Sequence, residues 1–299
     1  MSALSGIITN IKRMAVHDGK GLRTTIFFKG CPLRCIWCHN PDTLEFGKER
    51  AFFASKCAGC GICIGVCTGK AIGKDGSFDR EKCVMCEKCA EYCPVSARVI
   101  YGEEWEAQAL ADKVLCDREF FENSGGGVTF SGGECLAQID FAEELARIFH
   151  SEGISVDIDT CGFVNFDAFK RIIPYTDEFL YDVKAIDPEV HKACTGKDNA
   201  LILENLRRLD ELGCKIEIRY PYVPGHNDGE CEKIGEFLSG LKNTRRIKVL
   251  GYHSFARSKY NAMEKKDTLP THNATCEEVQ CAVDILASYG LEAINGMKE

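Results

Sequence analysis

Segments with a strand-like hydrophobic period alternate with segments of helical period along most of this 299-residue chain. Residues 154–160 alternate apolar and polar side chains, so their isoleucines and valine share one face of a predicted strand. Residues 200–212 instead carry leucines at helical spacing and end at Gly213, a pattern typical of an amphipathic helix. This alternation indicates an α/β fold built on a parallel sheet.

The same periods predict the other elements. Strands are predicted at 7–13, 24–28, 128–131, 154–160, 179–184, 216–222 and 247–252, and helices at 103–123, 139–151, 200–212, 230–241 and 277–289. The chain thus has six strand–helix units, fewer than the eight that close a barrel. We expect a partial (β/α)6 TIM-type barrel made of residues 1–51 and 102–299, with residues 52–101 as an insert.

Charged side chains share one face of three predicted strands. They are Asp157, Asp159, Asp182, Lys184, Glu217 and Arg219. Both faces of a helix-covered parallel sheet are buried, so these charges need each other or a ligand. The carboxyl ends of barrel strands are where active sites form, but a structural ion-pair network explains the pattern equally well.

The composition narrows the class of protein. The chain has 37 Lys and Arg against 45 Asp and Glu, a net charge of -8, so we expect no nucleic-acid partner. It has neither a secretory signal nor an apolar run near the ~18 residues of a membrane span, so we expect no membrane partner and a cytoplasmic location. Its 19 cysteines are then reduced thiols, with the clustered ones binding metal.

Three cysteines lie close together directly after the predicted strand 24–28. Cys31, Cys35 and Cys38 are separated by three and then two residues, and Gly30 lets the backbone turn into their loop. Thiolates this close can hold three corners of one iron–sulfur cube. The fourth iron would stay open to a substrate or cofactor, as in other catalytic metal sites.

The segment 52–101 contains two near-copies of one cysteine motif, each with the spacing C-x2-C-x2-C-x3-C. This is the spacing of bacterial ferredoxins, in which three cysteines bind one 4Fe-4S cluster and the fourth binds the other. The segment therefore resembles a two-cluster ferredoxin domain. The resemblance implies one cluster on Cys57, Cys60, Cys63 and Cys93 and a second on Cys83, Cys86, Cys89 and Cys67. Paired zinc sites are disfavoured because zinc motifs space their cysteine pairs further apart.

A glycine turn follows the predicted strand 128–131. Gly132 and Gly133 let the backbone approach a ligand closely, and the carboxylate of Glu134 could meet a cationic amine. No Gly-Lys-Ser/Thr follows in the register of a phosphate loop. The cysteines outside the motifs, including Cys135 and Cys161, lack partner spacing and are expected to be structural thiols.

Together these motifs resemble those of the S-adenosylmethionine radical enzymes, in the subfamily of glycyl radical enzyme activating enzymes. The resemblance is carried by Asp18-Gly19-x-Gly21-x-Arg23, the cysteine triplet with Trp37, residues 127–134, Asp159-Thr160-x-Gly162, Asp182-x-Lys184, Arg219 with Val223-Pro224-Gly225, and Tyr252-His253. Two positions depart from the usual motifs: Lys20 and Cys135 both stand where proline is common.

The resemblance implies a role for each matching residue. Cys31, Cys35 and Cys38 would bind the catalytic 4Fe-4S cluster, whose open iron is chelated by S-adenosylmethionine. The cofactor would contact Trp37, Gly132, Gly133, Glu134, Asp182, Lys184 and His253, and a monovalent cation would bind Asp159, Thr160 and Asp182. The implied cofactors are three 4Fe-4S clusters, S-adenosylmethionine and this cation.

The implied activity is reductive cleavage of S-adenosylmethionine to a 5′-deoxyadenosyl radical, which removes a hydrogen atom from a backbone glycine of a partner glycyl radical enzyme. Arg219 and the Asp18 loop would face that partner. A flavodoxin- or ferredoxin-type electron donor, a monomeric state and an anaerobic organism are also expected. Two alternatives stay open: radical chemistry on a small molecule or peptide, and an electron carrier centred on the ferredoxin-like segment.

Overall fold

The structure, a computed structural model, describes residues 4–298. Residues 1–3 and 299, the two ends of the expected barrel domain, lie outside the described residues. The strands are β1 (Ser5–Ala15), β2 (Arg23–Phe28), β3 (Glu49–Phe52), β4 (Arg98–Tyr101), β5 (Glu103–Glu106), β6 (Gly127–Gly132), β7 (Ser155–Thr160), β8 (Glu178–Asp182), β9 (Ile216–Tyr222), β10 (Arg246–Gly251) and β11 (Glu292–Asn295). The helices are α1 (Ile62–Val66), α2 (Lys88–Glu91), α3 (Ala107–Leu115), α4 (Arg118–Ser124), α5 (Ile139–Ser151), α6 (Phe166–Ile172), α7 (Pro188–Thr195), α8 (Ala200–Glu211), α9 (Cys231–Ser239), α10 (Arg257–Ala262) and α11 (Cys276–Ser288). Within residues 4–298 no helix is long and apolar enough to cross a membrane.

One large mixed sheet organises the fold. Its strand order is β11-β10-β9-β8-β7-β6-β2-β1-β5, and the run from β2 to β11 is parallel. β1 and β5 continue the sheet in antiparallel fashion beyond β2. The strands β2 and β6 to β10 correspond to the six predicted units, and β11 adds a further parallel strand. The carboxyl ends of the parallel strands therefore meet at one edge of the sheet.

The two faces of the parallel strands differ in chemistry as the period of two predicts. Val156, Ile158 and Ile218 are fully buried in the main hydrophobic core, together with Phe149 of α5 and Leu206 of α8. Burying an aliphatic side chain of this size contributes about 1.5–3 kcal/mol. The opposite face carries the charged residues of the same strands, so the helices cover one face and the other encloses the interior of the partial barrel.

One predicted helix is wrong in part. Residues 103–123 form β5 and then two helices, α3 and α4. Glu103 and Glu104 pair with Ile8 and Ile7 of β1, so tertiary pairing overrides a helix-like local sequence. The break between the helices lies at Asp117, whose carboxylate accepts a hydrogen bond of 2.8 Å from the Thr24 hydroxyl. Helices α6, α7 and α10 and strand β11 were not predicted.

Residues 53–97 lie between the paired strands β3 and β4. The antiparallel pairing brings the two ends of this segment together, and α1 packs against α2 within it. Glu264, which follows α10, forms ion pairs with Arg50 of β3 at 2.8 Å and with Arg80 of the segment at 3.1 Å. These ion pairs attach the segment to the region after α10. In turn, the hydroxyl of Tyr260 in α10 donates a hydrogen bond of 3.2 Å to the carbonyl of Cys38.

Candidate active site

The loop that carries Cys31, Cys35 and Cys38 is held by backbone hydrogen bonds on two sides. Cys31 N–H donates to the Leu44 carbonyl at 3.1 Å, and Ile36 N–H donates to the Cys194 carbonyl at 2.9 Å. The loop starts at Gly30, whose φ of 97° is in the left-handed region that favours glycine. These contacts direct the triplet toward the carboxyl ends of the parallel strands.

A cavity of about 330 Å³ lies in front of the triplet. This volume is within the range of about 300–1,000 Å³ that is usual for cofactor sites. The predicted site residues that line it are Cys31, Cys35, Trp37, Cys38, Gly132, Gly133, Asp159, Asp182, Lys184 and Arg219. The tertiary structure thus brings together residues from a loop and from β6, β7, β8 and β9.

The glycine turn forms one wall of the cavity. Gly132 has a φ of 107°, and a side-chain Cβ at Gly133 would lie only 2.3 Å from the carbonyl oxygen of Gly30. Both positions therefore require glycine, and the backbone itself faces the cavity. This close approach also joins the turn to the start of the cysteine loop.

Glu134, predicted to meet an amine, lies behind this wall and is fully buried. Its carboxylate accepts hydrogen bonds from the Thr160 hydroxyl at 2.8 Å, from Cys161 N–H at 2.9 Å and from Leu136 N–H at 3.1 Å. Burial raises the pKa of Glu134, while these donors act in the opposite direction. The carboxylate therefore connects the turn after β6 to the end of β7.

Charged groups of both signs face the cavity. Lys184 forms an ion pair with Asp182, and this carboxylate holds the pKa of Lys184 above its usual value although burial alone would lower it. Burial raises the pKa of Asp159 to about 6, and repulsion from Asp182 adds to the shift. Arg219 opposes that shift, and it also donates a 2.9 Å hydrogen bond to the His17 carbonyl.

Two other predicted contacts lie outside the cavity lining. His253 stacks on His39 at a ring distance of 4.2 Å, and His39 is the residue that lines the cavity. The hydroxyl of Thr160 donates a hydrogen bond to Glu134. Within residues 4–298, no group of three or more His, Cys, Asp or Glu side chains is close enough to hold a single metal ion.

Among the cavity-lining residues that sequence patterns did not single out are His39, Ser131 and Cys161. Ser131 donates a hydrogen bond to Asp159, and the period of two in β6 could have indicated that it faces the interior. His39 directly follows Cys38, and this position could have indicated that it lies near the cavity. Cys161 follows Asp159-Thr160 at the end of β7, but neither its spacing nor its residue type indicated a site.

The motif cysteines of the segment 53–97 belong to two predicted ligand sets, and one of these sets lines a shared cavity. Cys67, Cys83, Cys86 and Cys89 all line one small cavity of about 20 Å³. Of the other set, Cys57 and Cys60 are exposed and Cys63 and Cys93 are half-buried. Corresponding cysteines of the two motifs make the same contact, because Cys67 Sγ accepts from Ala71 N–H and Cys93 Sγ accepts from Ala97 N–H, both at 3.2 Å.

Comparison with known proteins identifies the family of this chain. The profile of the Radical SAM superfamily matches residues 85–238, and that of a 4Fe-4S single cluster domain matches residues 17–62, which include the triplet. The chain is 42% identical over 271 residues to the trans-4-hydroxy-L-proline dehydratase activating enzyme of Clostridioides difficile, with 88% of this chain and 89% of that enzyme covered. The chain belongs to the glycyl radical enzyme activating enzymes.

A second relative of this activating enzyme is the benzylsuccinate synthase activating enzyme of Thauera aromatica, 37% identical over 269 residues that cover 85% of this chain and 80% of that enzyme. A crystal structure of Streptococcus suis SuiB bound to precursor peptide SuiA aligns with a TM-score of 0.54 over 89% of this chain and 46% of that one. At 12% identity this likeness concerns the fold alone. The predicted family, enzyme class and radical SAM fold are confirmed. The enzyme uses iron–sulfur chemistry and S-adenosylmethionine to generate a glycyl radical on a partner enzyme.

Proposed function

We propose that Cys31, Cys35 and Cys38 of this activating enzyme hold the cluster that binds S-adenosylmethionine, and that S-adenosylmethionine occupies the 330 Å³ cavity. The observation that carries the proposal is that all three thiols line this one cavity, whose other walls offer charged groups and bare glycine backbone. When bound, the cluster and S-adenosylmethionine supply the 5′-deoxyadenosyl radical that removes a hydrogen atom from the partner's glycine.

The chemistry of the thiols fits a cluster. Burial raises the pKa of Cys38 to about 12 and raises that of Cys35 as well. Buried thiols of this kind stay protonated unless a cation lies beside them, and the iron ions of a cluster provide that charge. The loop therefore holds thiols that become thiolates when metal binds.

The polar end of S-adenosylmethionine has an amino group and a carboxylate, and the cavity offers groups for both. Lys184 and Arg219 can pair with the carboxylate, and Asp182 can accept from the amino group. Trp37 presents an apolar ring to the rest of the molecule. Glu134 holds the Gly133 turn in place from behind the wall.

His253 also acts from behind the wall, since its ring stacks on His39, which faces the cavity. Burial lowers the pKa of His39 to about 4, so this ring is neutral at physiological pH. A neutral ring can pack beside the adenine or ribose without adding charge to the site.

A monovalent cation between Asp159 and Asp182 is the third part of the proposal. The two carboxylates face one cavity, and their mutual repulsion contributes to the raised pKa of Asp159. A cation would relieve this repulsion and let both carboxylates ionise. The side chain of Thr160 is bound to Glu134, so Thr160 would contribute through its backbone carbonyl.

We further propose that residues 52–101 form a ferredoxin-like domain with two 4Fe-4S clusters, inserted into a barrel domain of residues 1–51 and 102–299. The shared cavity of Cys67, Cys83, Cys86 and Cys89 supports one of the two ligand sets. The matching N–H···S contacts of Cys67 and Cys93 support the repeat. In this proposal the insert relays electrons from a flavodoxin- or ferredoxin-type donor to the triplet cluster, and the enzyme functions as a monomer.

The partner's glycine loop is proposed to enter beside Asp18 and Arg219. Both residues line the cavity, and a guanidinium nitrogen of Arg219 lies 3.9 Å from a carboxylate oxygen of Asp18. Relatives of this chain act with dehydratases, lyases and a synthase according to their names. Trans-4-hydroxy-L-proline dehydratase is the first partner to test, because its activating enzyme is 42% identical to this chain.

The experiment is anaerobic. Protein carrying three reconstituted cubes, about 12 iron atoms, is reduced and mixed with S-adenosylmethionine and candidate partners. We expect 5′-deoxyadenosine and a glycyl radical doublet in electron paramagnetic resonance. Replacing Cys31, Cys35 and Cys38 by alanine should abolish both products, whereas replacing the exposed Cys116 should not. Fully loaded protein that produces no 5′-deoxyadenosine would refute the proposal.

A further inference from the structure

The residues that follow the cysteine triplet form part of the cavity wall. Within residues 38–44, those that line the cavity are Cys38, His39, Asn40, Thr43 and Leu44. Apart from a 3-10 turn over Pro41–Thr43, this stretch has no regular structure of its own. Its position therefore depends on contacts with other parts of the chain.

These contacts come from residues 253–268, which follow β10 and include α10; we call them the bracing segment. Its side chains donate hydrogen bonds to backbone carbonyls of the cysteine loop: Tyr260 to Cys38 at 3.2 Å, Thr268 to Ile36 at 3.0 Å and Lys265 to Pro41 at 2.9 Å. The Tyr260 and Thr268 hydroxyls are neighbours, and each donates its own proton to the loop. The bracing segment thus holds the loop through its backbone.

Two adjacent residues of α10 make the least exposed of these contacts. Tyr260 is 3% exposed, and its ring packs with Trp37 in a small hydrophobic cluster. Lys259 forms an ion pair of 2.8 Å with the carboxylate of Asp42, a residue that is also 3% exposed. A buried carbonyl or carboxylate is costly without its partner, because little water reaches it. Neither Lys259 nor Tyr260 lines the cavity itself.

The bracing segment is fixed on its other side as well. The Met263 carbonyl accepts a hydrogen bond of 3.1 Å from Arg80, and Ala262 and Met263 pack with Ala51 of β3. A loop tied to an element that is held in this way has few alternative positions. A loop without regular structure opens locally at a low cost in free energy once such ties are lost.

We propose that Lys259 and Tyr260 are positioning residues that hold residues 38–44 in the arrangement that binds S-adenosylmethionine. The inference rests on the proposed function, in which Cys38 is a cluster ligand and the cavity holds the cofactor. When only a fraction of the molecules has the binding-competent loop, the apparent dissociation constant rises in inverse proportion to that fraction. The two residues therefore act on cofactor affinity without touching the cofactor.

The test is anaerobic equilibrium dialysis of S-adenosylmethionine against full-length enzyme with oxidised clusters, so that no electron is available to cleave the cofactor. All variants are loaded to the same iron content, and their free energies of unfolding are measured. Tyr260→Phe removes the hydroxyl and keeps the ring, and Lys259→Met removes the charge. Tyr181→Phe is the matched control, because Tyr181 is a buried tyrosine of the main core whose hydroxyl donates to the Ile202 carbonyl at 2.7 Å.

We expect the dissociation constant to rise about fivefold in Tyr260→Phe, which corresponds to about 1 kcal/mol, the typical net contribution of one hydrogen bond. Lys259→Met should raise it by at least as much, and Tyr181→Phe should leave it within about twofold of wild type at a comparable loss of stability. An unchanged dissociation constant in both Tyr260→Phe and Lys259→Met would overturn the inference, as would an equal rise in Tyr181→Phe. An enzyme with Cys31, Cys35 and Cys38 replaced by alanine that binds S-adenosylmethionine as tightly as wild type would instead refute the proposed function on which the inference rests.

Discussion

Replacing Glu134 by glutamine tests how the turn after β6 is joined to the end of β7. The Thr160 hydroxyl and the N–H groups of Leu136 and Cys161 all donate hydrogen bonds to this carboxylate. Glutamine has nearly the same shape but carries one carbonyl oxygen and one NH2 group. In either orientation of the amide, one buried N–H of Leu136 or Cys161 faces the NH2 group and loses its acceptor.

A buried donor left without a partner costs about 1–3 kcal/mol. Glu134 is fully buried, so water cannot take over the lost hydrogen bond. We therefore expect Glu134→Gln to lower the free energy of unfolding by about 1–3 kcal/mol. The unfolding free energy is measured without S-adenosylmethionine, so a change in cofactor binding at the cavity wall does not contribute to it.

The assay is anaerobic urea denaturation followed by far-ultraviolet circular dichroism, with wild type and variant loaded to the same iron content. Glu204→Gln is the matched control. Glu204 is an exposed residue of α8 that lies 4.0 Å from Arg207, and a surface ion pair of this kind contributes about 0–1 kcal/mol.

A decrease of less than about 0.5 kcal/mol in the free energy of unfolding of Glu134→Gln would refute this reasoning, because it is smaller than the penalty for an unpaired buried donor. Burial does raise the pKa of Glu134, and a protonated carboxyl group resembles glutamine closely. The unchanged stability would then mean that Glu134 is neutral in the folded protein.

Three further predictions concern other parts of the chain. Burial would raise the pKa of Asp210, but hydrogen bonds from the backbone N–H groups of residues 242–244 outweigh burial and lower it. Asp210→Asn should therefore destabilise the protein by about 1–2 kcal/mol at pH 7, and by progressively less as the pH falls below the unfolded pKa of about 3.9, because this stabilisation is lost as the pH falls through the lowered folded pKa. Destabilisation that stays constant as the pH is lowered in urea titrations would contradict this. Lys184→Met should weaken equilibrium binding of S-adenosylmethionine at least tenfold, about 1.4 kcal/mol, while Lys192→Met on the exposed side of α7 should not; an unchanged dissociation constant for Lys184→Met would remove Lys184 from the site. Cys89→Ala should reduce the iron content from about 12 to about 8 atoms, and a full iron content would refute the ligand set of Cys67, Cys83, Cys86 and Cys89.

Much of the sheet could be predicted from the sequence, because the strands of the parallel region have buried apolar faces with a clear period of two. The predicted range 216–222 is the observed β9, and the predicted helix 139–151 is the observed α5. The prediction was wrong for residues 103–106, where Glu-Glu-Trp-Glu has no strand pattern of its own. These residues form β5 only because β1 is an available partner, and one-dimensional periodicity cannot contain that information.

The sequence by itself determined which cysteines have the spacing of cluster ligands, since spacing within one loop is a local property. It also determined that the charged residues at the ends of β7, β8 and β9 point to the same side, because alternation along a strand is local as well. Only the tertiary structure decided where the side chains lie in the turns beyond the strand ends. There, Glu134 and His253 lie behind the cavity wall, and Cys161 lies against Cys31. The direction of a side chain in a turn depends on the packing of neighbouring loops, which are distant in sequence and meet only when the sheet forms.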